Sequence, residues 1–413
     1  MGINRDFDIA ILGANGWTAV MCCEHIVRHY PTTLQWTIAG RSQPKLEALA
    51  AHLKTLDPDR AAPHITVLAS LDLDVLEPLA RRTAVFINGI GPYHRYATPV
   101  VEACARAGTH YVDLTTETLW VADMVRRYDA VARESGAVII PSASISSAPS
   151  DLIAWLLASR SGSGDGGARV SDVVASGKLT MLGMQGGSSE TVLGVAERYG
   201  IGWFWAPDPW VMSAQRRVAG ASTRRAPLLS RLLGYRHDAI LGHLGTSFMA
   251  AADQAVVQRS AGLQPEVYGE DFVFREYIPA TGWLRAVMIH VVTKLGILLL
   301  AIPWFRALVR AKMWQPGTGP DREESRKTER AEYKAVGFAK GRSEPVAVAQ
   351  FAYDGALTDI SAILAVEAAG TLLELARQGK GKGGLLTPST LGLPFVERLR
   401  CYGVDLRIEE IRK

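Results

Sequence analysis

The chain has 413 residues, of which 48% are hydrophobic, 21% charged and 8% aromatic. These ordinary globular values exclude a disordered, collagen-like or coiled-coil protein, and the length suits two or three domains. The net charge of +4, from 45 basic and 41 acidic residues, is too small to indicate nucleic-acid binding, which needs a dense basic surface. No spacing of the cysteines and histidines suits zinc, so no metal site is expected.

The first third of the chain alternates short apolar segments with segments of helical periodicity. The predicted strands are Phe7–Leu12 and residues 34–39, 65–68, 84–87, 111–114 and 137–140. The predicted helices are Trp17–His29 and residues 44–54, 75–82, 98–106 and 119–134. This alternation predicts right-handed β-α-β units and a parallel sheet that is covered on both faces.

The pattern changes after a predicted helix at residues 150–159 and a connection rich in glycine and serine at residues 161–167. From here on the chain is expected to form longer strands of a mostly antiparallel sheet. The predicted strands are residues 171–182, 271–278, 332–338 and 345–353, and residues 359–377 are a predicted helix. The chain is therefore expected to be an α/β protein with a second, α+β part.

A glycine-containing turn follows the first predicted strand directly and opens the first helix. Its sequence is Gly13-Ala14-Asn15-Gly16-Trp17-Thr18-Ala19. The first glycine permits the tight turn, the second lets the backbone approach a phosphate, and a small third residue lets helix and strand pack. The N–H groups at the helix start favour an anion. At the head of six alternating units, this turn predicts a Rossmann domain that binds a dinucleotide, and a turn without a ligand is the alternative.

The end of the second predicted strand indicates which dinucleotide binds. An NAD site has an acid there, whereas this chain has Gly40-Arg41-Ser42. Arg41 can form charge-assisted hydrogen bonds with a 2′-phosphate, so NADPH is the predicted cofactor. The alternative is a surface arginine near a helix start. The predicted cofactor contacts are Gly13, Asn15, Gly16, Trp17, Thr18, Arg41, Ser42, Asn88, Gly91 and Pro92.

The fourth predicted strand ends in Asn88-Gly89-Ile90-Gly91-Pro92-Tyr93, at the sheet edge where such folds bind ligands. The two glycines permit the backbone to lie against the cofactor, and the proline stiffens the turn. Tyr93 and His94 are expected on the nicotinamide side. Tyr93 is either a proton donor or a wall of the pocket. His94 is expected as a pocket or surface residue, with a role as an acid as the alternative.

These stretches resemble the saccharopine dehydrogenase-like oxidoreductases, in particular the trans-acting enoyl reductases. The further matches are Gly108-Thr109-His110-Tyr111-Val112-Asp113-Leu114, Pro149-Ser150-Asp151-Leu152, Tyr268-Gly269, Pro316-Gly317-x-Gly319-Pro320 and Gly384-Leu385-Leu386-Thr387-Pro388. The resemblance implies a Rossmann domain at residues 1–150, a substrate and dimerisation domain at 151–380, and a segment 381–413 that packs back on the first domain. It also implies NADP(H), a homodimer, and reduction of a carrier-bound enoyl chain beside a polyketide synthase, or of an imine.

Two positions at the sheet end depart from the family's pattern. The family's acid before the Pro-Ser-Asp match is Ser146 here, and a family glycine is Thr116. These departures leave the fold intact and bear on the reaction. The candidate catalytic residues are Tyr93, Tyr111 and Ser147. Asp113 and Glu117 are further polar candidates, and Asp113 could instead cap a helix.

Residues 286–305 are almost continuously apolar, with His290, Lys294 and Pro303 as interruptions. The run barely reaches the roughly 20 residues that a membrane span needs. Three interpretations are open: a buried or dimer-interface helix, an anchor on a membrane or lipid-droplet surface, and a true span. Trp283 and Trp304 and the basic residues near them are typical of interfacial anchors. The N-terminal residues do not resemble an export signal, so a cytoplasmic protein, peripheral to a membrane or lipid droplet, is expected.

The predicted function is NADPH-dependent reduction of a C=C or C=N bond of a hydrophobic intermediate in polyketide or other secondary metabolism. The alternative is an enzyme that keeps the Rossmann domain as a scaffold and catalyses a cyclisation or isomerisation without redox chemistry. A third interpretation is a lipid-surface protein that holds the nucleotide without turnover.

Overall fold

The computed structural model describes residues 5–160, 169–213, 227–379 and 381–411. The described residues form two seven-stranded sheets with helices around and between them. The predicted connection at residues 161–167 lies within a part of the chain that is outside the described residues.

The first part of the chain contains the six predicted strands, with small shifts at their ends. The strands are β1 (Phe7–Leu12), β2 (Trp36–Gly40), β3 (His64–Val67), β4 (Thr83–Asn88), β5 (His110–Asp113) and β6 (Val138–Ile140). The helices are α1 (Trp17–His29), α2 (Gln43–Leu56), α3 (Leu73–Arg81), α4 (Tyr93–Tyr96), α5 (Thr98–Ala107) and α6 (Thr118–Ser135). The short helix α4 was not predicted, because four residues are too few to show a period.

The second part of the chain carries longer strands and more irregular helices. The strands of this part, up to β12, are β7 (Val170–Thr180), β8 (Arg236–Asp238), β9 (Gly242–Gly245), β10 (Val273–Ala280), β11 (Arg330–Ala339) and β12 (Pro345–Asp354). Its helices before β11 are α7 (Ala148–Arg160), α8 (Gly186–Tyr199), α9 (Gly202–Trp205), α10 (Leu228–Leu232), α11 (Ala250–Leu263), α12 (Pro265–Tyr268), α13 (Trp283–Leu300), α14 (Pro303–Lys312) and α15 (Arg322–Thr328). The C-terminal elements are α16 (Leu357–Arg377), β13 (Gly384–Leu385), a 3-10 turn (Pro388–Leu391), α17 (Gly392–Cys401) and β14 (Asp405–Glu410).

The two sheets have the predicted characters. The first has the order β13-β6-β5-β4-β1-β2-β3, and all its strand pairs are parallel. The second has the order β14-β12-β11-β7-β10-β9-β8. It is antiparallel except for the pair β7 and β10. The expectation of an α/β protein with a parallel sheet and a mostly antiparallel second sheet is confirmed.

Two helices link the sheets and form most of the core between them. Helix α16 packs against α1, β4 and β5 of the first sheet, and every residue from 357 to 373 except Asp359 is buried. Helix α7 packs against β7, β11, β12 and β14 of the second sheet. A helix that is apolar on all sides is expected to be buried on all sides, as both of these are.

The C-terminal segment contacts both sheets. Strand β13 extends the first sheet next to β6, as the expected return of residues 381–413 requires. Strand β14 instead pairs with β12 at the edge of the second sheet. Helix α17, between these strands, packs on α16.

The apolar run predicted as one helix at residues 286–305 forms the two helices α13 and α14. The break falls at Ile302, which is extended, and Pro303 then occupies the first turn of α14, where a missing N–H costs nothing. Within this chain the interpretation as a buried helix is wrong, because only Ala286 and Ile297 of α13 are buried. By length and composition alone, α13 is sufficient to cross a membrane.

Candidate functional site

A cavity of about 340 Å³ lies at the carboxyl edge of the parallel sheet, between the first sheet and the second. The first sheet contributes the start of α1 and the segments that follow β4, β5 and β6. The second contributes the segment between β7 and α8, the residues before α11, and the segment that leads into α15. Since ligands bind at this edge in open α/β sheets, the cavity is the candidate active site.

The glycine turn at the start of α1 has the geometry of an anion site. Gly13 has a φ of +67°, a left-handed conformation that favours glycine. Its carbonyl accepts a 2.7 Å hydrogen bond from the Gly16 N–H. Helix α1 then begins at Trp17 without a side-chain cap and without an acid in its first turn. The first N–H groups of a helix have no partner within it, so a phosphate at this point would meet donors and no negative charge.

Arg41 lies directly after β2 and has no side-chain partner among the described residues. It is exposed, and no hydrogen bond or ion pair with another described residue engages it. A Cβ built on Gly40 would lie 3.8 Å from Asn15 Nδ2, so Asn15 and the end of β2 lie side by side. Ser42 precedes α2 and makes no side-chain cap there. The predicted phosphate contacts of the turn and the predicted 2′-phosphate contact thus lie along one edge of the sheet.

A buried network of hydrogen bonds holds the end of β4 in place. Asn88 Nδ2 donates to Tyr111 Oη at 3.0 Å, and Asn88 Oδ1 accepts from the Ile90 N–H at 3.0 Å. The Asn88 side chain therefore faces the protein, while Gly89 and Gly91 line the cavity. The Gly91–Pro92 peptide bond is cis. Of the predicted cofactor contacts at this strand end, Gly91 lines the cavity, as does its neighbour Gly89.

Tyr93 lines the cavity while its hydroxyl is held by the backbone. The hydroxyl donates to the Asn88 carbonyl at 3.3 Å and accepts from the Leu114 N–H at 3.4 Å. Burial, with Asp113 nearby, raises the pKa of this phenol well above its ordinary value. In this arrangement Tyr93 contributes its ring to the cavity wall and keeps its proton.

Tyr111 and Asp113 are fully buried and do not line the cavity. Tyr111 Oη donates to Asp113 Oδ2 at 2.7 Å. Asp113 Oδ1 accepts from the Thr115 N–H at 3.0 Å and the Ser142 N–H at 2.9 Å. The alternative role of Asp113 as a helix cap is wrong, since α6 begins only at Thr118. The carboxyl group instead ties together the segments after β5 and β6, and burial raises its pKa to about 7.

Glu117 positions the turn that carries Tyr93. One carboxylate oxygen accepts from the Tyr93 N–H at 2.8 Å, and the other accepts from the His94 N–H at 2.7 Å and lies 2.6 Å from His94 Nδ1. The His94 side chain is 4% exposed, packs against Gly194 of α8 and does not line the cavity. For the role of Glu117 in holding this turn, the only signal in the sequence was the presence of an acidic residue near the end of β5.

Ser147 lies behind the cavity wall. It is buried, and its hydroxyl donates to Asp253 Oδ1 at 3.0 Å. The Asp253 carboxyl adjoins that of Glu276, and burial with mutual repulsion raises the pKa of Asp253 well above its ordinary value. The neighbouring Ser144 and Ser146 do line the cavity, and their hydroxyl oxygens are 2.8 Å apart. Of the three candidate catalytic residues, only Tyr93 borders the cavity among the described residues.

The described cavity wall contains two charged groups, and the charge of each is matched, although the buried Nε of Arg322 has no hydrogen-bond partner. Arg322 forms a two-pronged pair with Glu24 of α1, with N···O distances of 3.0 and 2.9 Å. Glu329 accepts from the Leu182 N–H at 3.1 Å and the Leu357 N–H at 2.9 Å. The remaining described wall consists of apolar side chains, hydroxyl groups, one amide and backbone.

Comparison with known proteins identifies the domain that carries the glycine turn. The model of the saccharopine dehydrogenase NADP binding domain matches residues 9–140. The yeast (Saccharomyces cerevisiae) apo saccharopine dehydrogenase (L-Glu forming) has the same fold, with a TM-score of 0.55 at 12% identity over 98% of this chain and 100% of that chain.

Relatives match over the full length as well. A trans-acting enoyl reductase of Mycobacterium tuberculosis (strain ATCC 25618 / H37Rv) is 29% identical over 414 residues, which cover 97% of each chain. A trans-acting enoyl reductase of Mycobacterium ulcerans is 28% identical over 422 residues, again with 97% of each covered. The predicted resemblance is confirmed, and the protein is an NADP-dependent oxidoreductase.

The residues at the start of α1 and at the end of β2 fit NADPH. The uncapped, acid-free start of α1 suits the pyrophosphate, and the free guanidinium of Arg41 suits a 2′-phosphate. No described acid at the end of β2 would repel that phosphate. When it is bound, NADPH supplies a hydride, and the protein supplies its orientation and surroundings.

Replacement of Arg41 by alanine tests the predicted 2′-phosphate contact. Since a hydrogen bond to a charged group contributes roughly 1.5–3 kcal/mol, Arg41→Ala should weaken NADPH binding about 10- to 100-fold and NADH binding little. Titration calorimetry measures both affinities. Arg407→Ala, an exposed arginine on β14, is the control. An equal loss for NADPH and NADH would contradict the assignment.

The pH dependence of stability tests the buried position of Asp113. Its pKa is about 7 when folded and roughly 3.9 when unfolded, so between these values the native state binds a proton that the unfolded state has released. Stability therefore falls as the pH rises through this window. Relative to Asp113→Asn, the wild type should lose roughly 1 kcal/mol of unfolding free energy per pH unit between about pH 5 and 7, measured by urea denaturation. Asp123→Asn, at a partly exposed residue of α6, is the control. Parallel curves for the wild type and Asp113→Asn would contradict the prediction.

Proposed function

We propose that the protein uses NADPH to reduce the C=C bond of an enoyl group on a hydrophobic, carrier-bound chain, in trans to a polyketide synthase. The observation that carries this proposal is the cavity, which joins the NADP-binding edge to an apolar wall from the second part of the chain. The full-length relatives that are named trans-acting enoyl reductases support the reaction and the partner.

The wall of the cavity suits an acyl chain. Its apolar side chains include Trp17, Leu179, Met181, Met184, Val192 and Phe248. Methionine side chains adapt to irregular apolar ligands, and Met181 and Met184 are about half exposed, as expected of side chains at an entrance. An acyl chain seated on these residues would displace water from the site and hold the reacting carbon at the sheet edge.

Reduction of a C=C bond conjugated to a carbonyl also needs a donor to the carbonyl oxygen and a proton for the neighbouring carbon. Among the described residues, the wall offers no carboxylic acid free to give up a proton, because Glu329 is held as an acceptor of two N–H groups. The proton therefore comes from water through the hydroxyl groups of the wall. Tyr93 orients the substrate by contact with its ring.

The exposed face of α13 suits a lipid surface beside this activity. Its outward side chains Trp283, Met288, Val292 and Leu295 are each more than half exposed. The sequence contains no acidic residue between Trp283 and Asp321, and the exposed Arg285 and Lys312 form no ion pair with a described residue. An apolar face with basic ends is attracted to anionic lipid. The enzyme would then meet hydrophobic chains where they are most concentrated.

The reaction is tested with a neutral 2-alkenoyl thioester of N-acetylcysteamine, which replaces the carrier. The wild type with NADPH should convert it into the saturated thioester, with one NADPH oxidised per product molecule. Mass spectrometry measures formation of the saturated thioester, and the absorbance of NADPH measures its oxidation. Oxidation of NADPH without a saturated product, or the absence of any reaction despite NADPH binding, would contradict enoyl reduction.

Flotation with vesicles tests the lipid surface. The wild type should float with vesicles of anionic phospholipid, and the double variant Val292→Glu and Leu295→Glu should not, because each charge would be buried in the lipid interface. Leu393→Glu, at an equally exposed leucine of α17, should float like the wild type. If the wild type does not float but sediments as a dimer that the double variant disrupts, the face binds a second copy of the chain instead.

A further inference from the structure

We propose that the cavity selects a substrate that is uncharged around its reacting carbonyl group, and that the hydroxyl pair of Ser144 and Ser146 binds the carbonyl oxygen. This inference rests on the proposed function and names the substrate class of the same site. It gives Ser146 a direct contact with the substrate, whereas the candidate Ser147 one residue further on is buried against Asp253.

The backbone after β6 presents Ser146 to the cavity. Ser142 has a φ of 63°, which is unusual for a residue with a side chain, and its N–H is held by Asp113 Oδ1. The next N–H, of Ala143, donates to the Asp113 carbonyl at 2.8 Å. The turn that follows leaves Ser146 as the one residue of 141–150 that is not buried. Its hydroxyl is therefore open to a ligand from the cavity.

One of the two serine hydroxyl groups has an O–H that can donate a hydrogen bond to a ligand. Ser144 Oγ and Ser146 Oγ are 2.8 Å apart, so one of the two hydroxyls donates to the other and the second O–H is left for a ligand. The pair also lies directly before α7, whose start carries partial positive charge. The Ser144 carbonyl accepts the N–H groups of Ser147 and Ala148, which fixes the pair relative to the helix. Such an arrangement stabilises negative charge that develops on a carbonyl oxygen.

The charges of the wall exclude an ionised substrate. Both terminal nitrogens of Arg322 pair with Glu24, and its Nε, which has no partner, is buried. Glu329 accepts two backbone N–H groups, so neither charge is left unmatched for a ligand. A carboxylate or ammonium group next to the reacting carbon would lose its water and find no counter-ion among the described residues. A thioester or ketone loses far less, because the serine pair satisfies its oxygen. An imine derived from an amino acid, which carries a carboxylate at that position, is disfavoured.

The consequence is tested by kinetics on the neutral thioester described above. Ser146→Ala should lower kcat about 100-fold with a smaller change in KM and unchanged NADPH binding. Ser146→Thr, which keeps a hydroxyl, should restore most of kcat, and Ser146→Asp should abolish turnover by placing an anion beside the developing negative charge. Ser159→Ala, at the other end of α7, is the control.

Binding measurements separate this inference from the proposed function. With NADPH present, the wild type should bind a saturated acyl amide at least 10-fold more tightly than the free acid of the same chain, and Ser146→Ala should reduce that ratio. Turnover that is unchanged in Ser146→Ala, with normal activity in the wild type, would overturn the inference and leave enoyl reduction standing. If the wild type shows the binding preference but no turnover, the selection of an uncharged ligand is supported and the proposed enoyl reduction is wrong. Equal binding of amide and acid would overturn the neutral site.

Discussion

The active edge of this protein depends on one buried carboxyl group. Asp113 lies at the end of β5 and accepts hydrogen bonds from the segment after its own strand, from the turn after β6, and from Tyr111. Tyr111 in turn accepts from Asn88 at the end of β4. Three neighbouring strand ends are thus held by hydrogen bonds to a single centre. Removal of that centre would leave buried donors without partners, which costs more than the bonds contribute.

The network places a glycine edge on one side of the cavity and a serine pair on the other. Gly89 and Gly91 follow β4, and the turn after β6 carries Ser144 and Ser146. Glu117 adds a second buried carboxylate that holds the Tyr93 turn between them. Both carboxyl groups bind backbone N–H groups and buried side chains, and neither lines the cavity. The glycine and serine residues of the wall on this side are consequently neutral, although the residues just beneath them are acidic.

Much of the NADP-binding part could be predicted from sequence because its signals are local. The alternation of strands and helices, the glycine turn before α1 and Arg41 after β2 each lie within a few consecutive residues. The roles of Ser147 and Asp113 could not be predicted in this way. Ser147 is held by Asp253, which is 106 positions away, and Asp113 binds the backbone of a turn 29 positions away. Side chains that act through distant backbone leave no periodic pattern in the sequence.

The second part of the chain shows the same limit. The long strands β11 and β12 were apparent from their alternation, but the parallel pairing of β7 with β10 joins strands about a hundred positions apart. The apolar run at residues 286–305 predicted helical structure, which the chain forms as two helices, and it left the surroundings of that structure open. Composition alone does not distinguish a buried helix from an exposed one, since both are apolar. Only the packing around α13 shows that this face lies outside the core.

Enoyl reduction by this protein requires that hydride passes from the nicotinamide to the substrate. The direct measurement uses NADPH carrying deuterium on the transferred position of the nicotinamide ring, with the alkenoyl thioester as acceptor and mass spectrometry or NMR of the product. Transfer of one deuterium to the carbon two bonds from the carbonyl is the predicted result. Product that forms without label, or that forms equally well when the nucleotide is left out, would contradict the redox assignment.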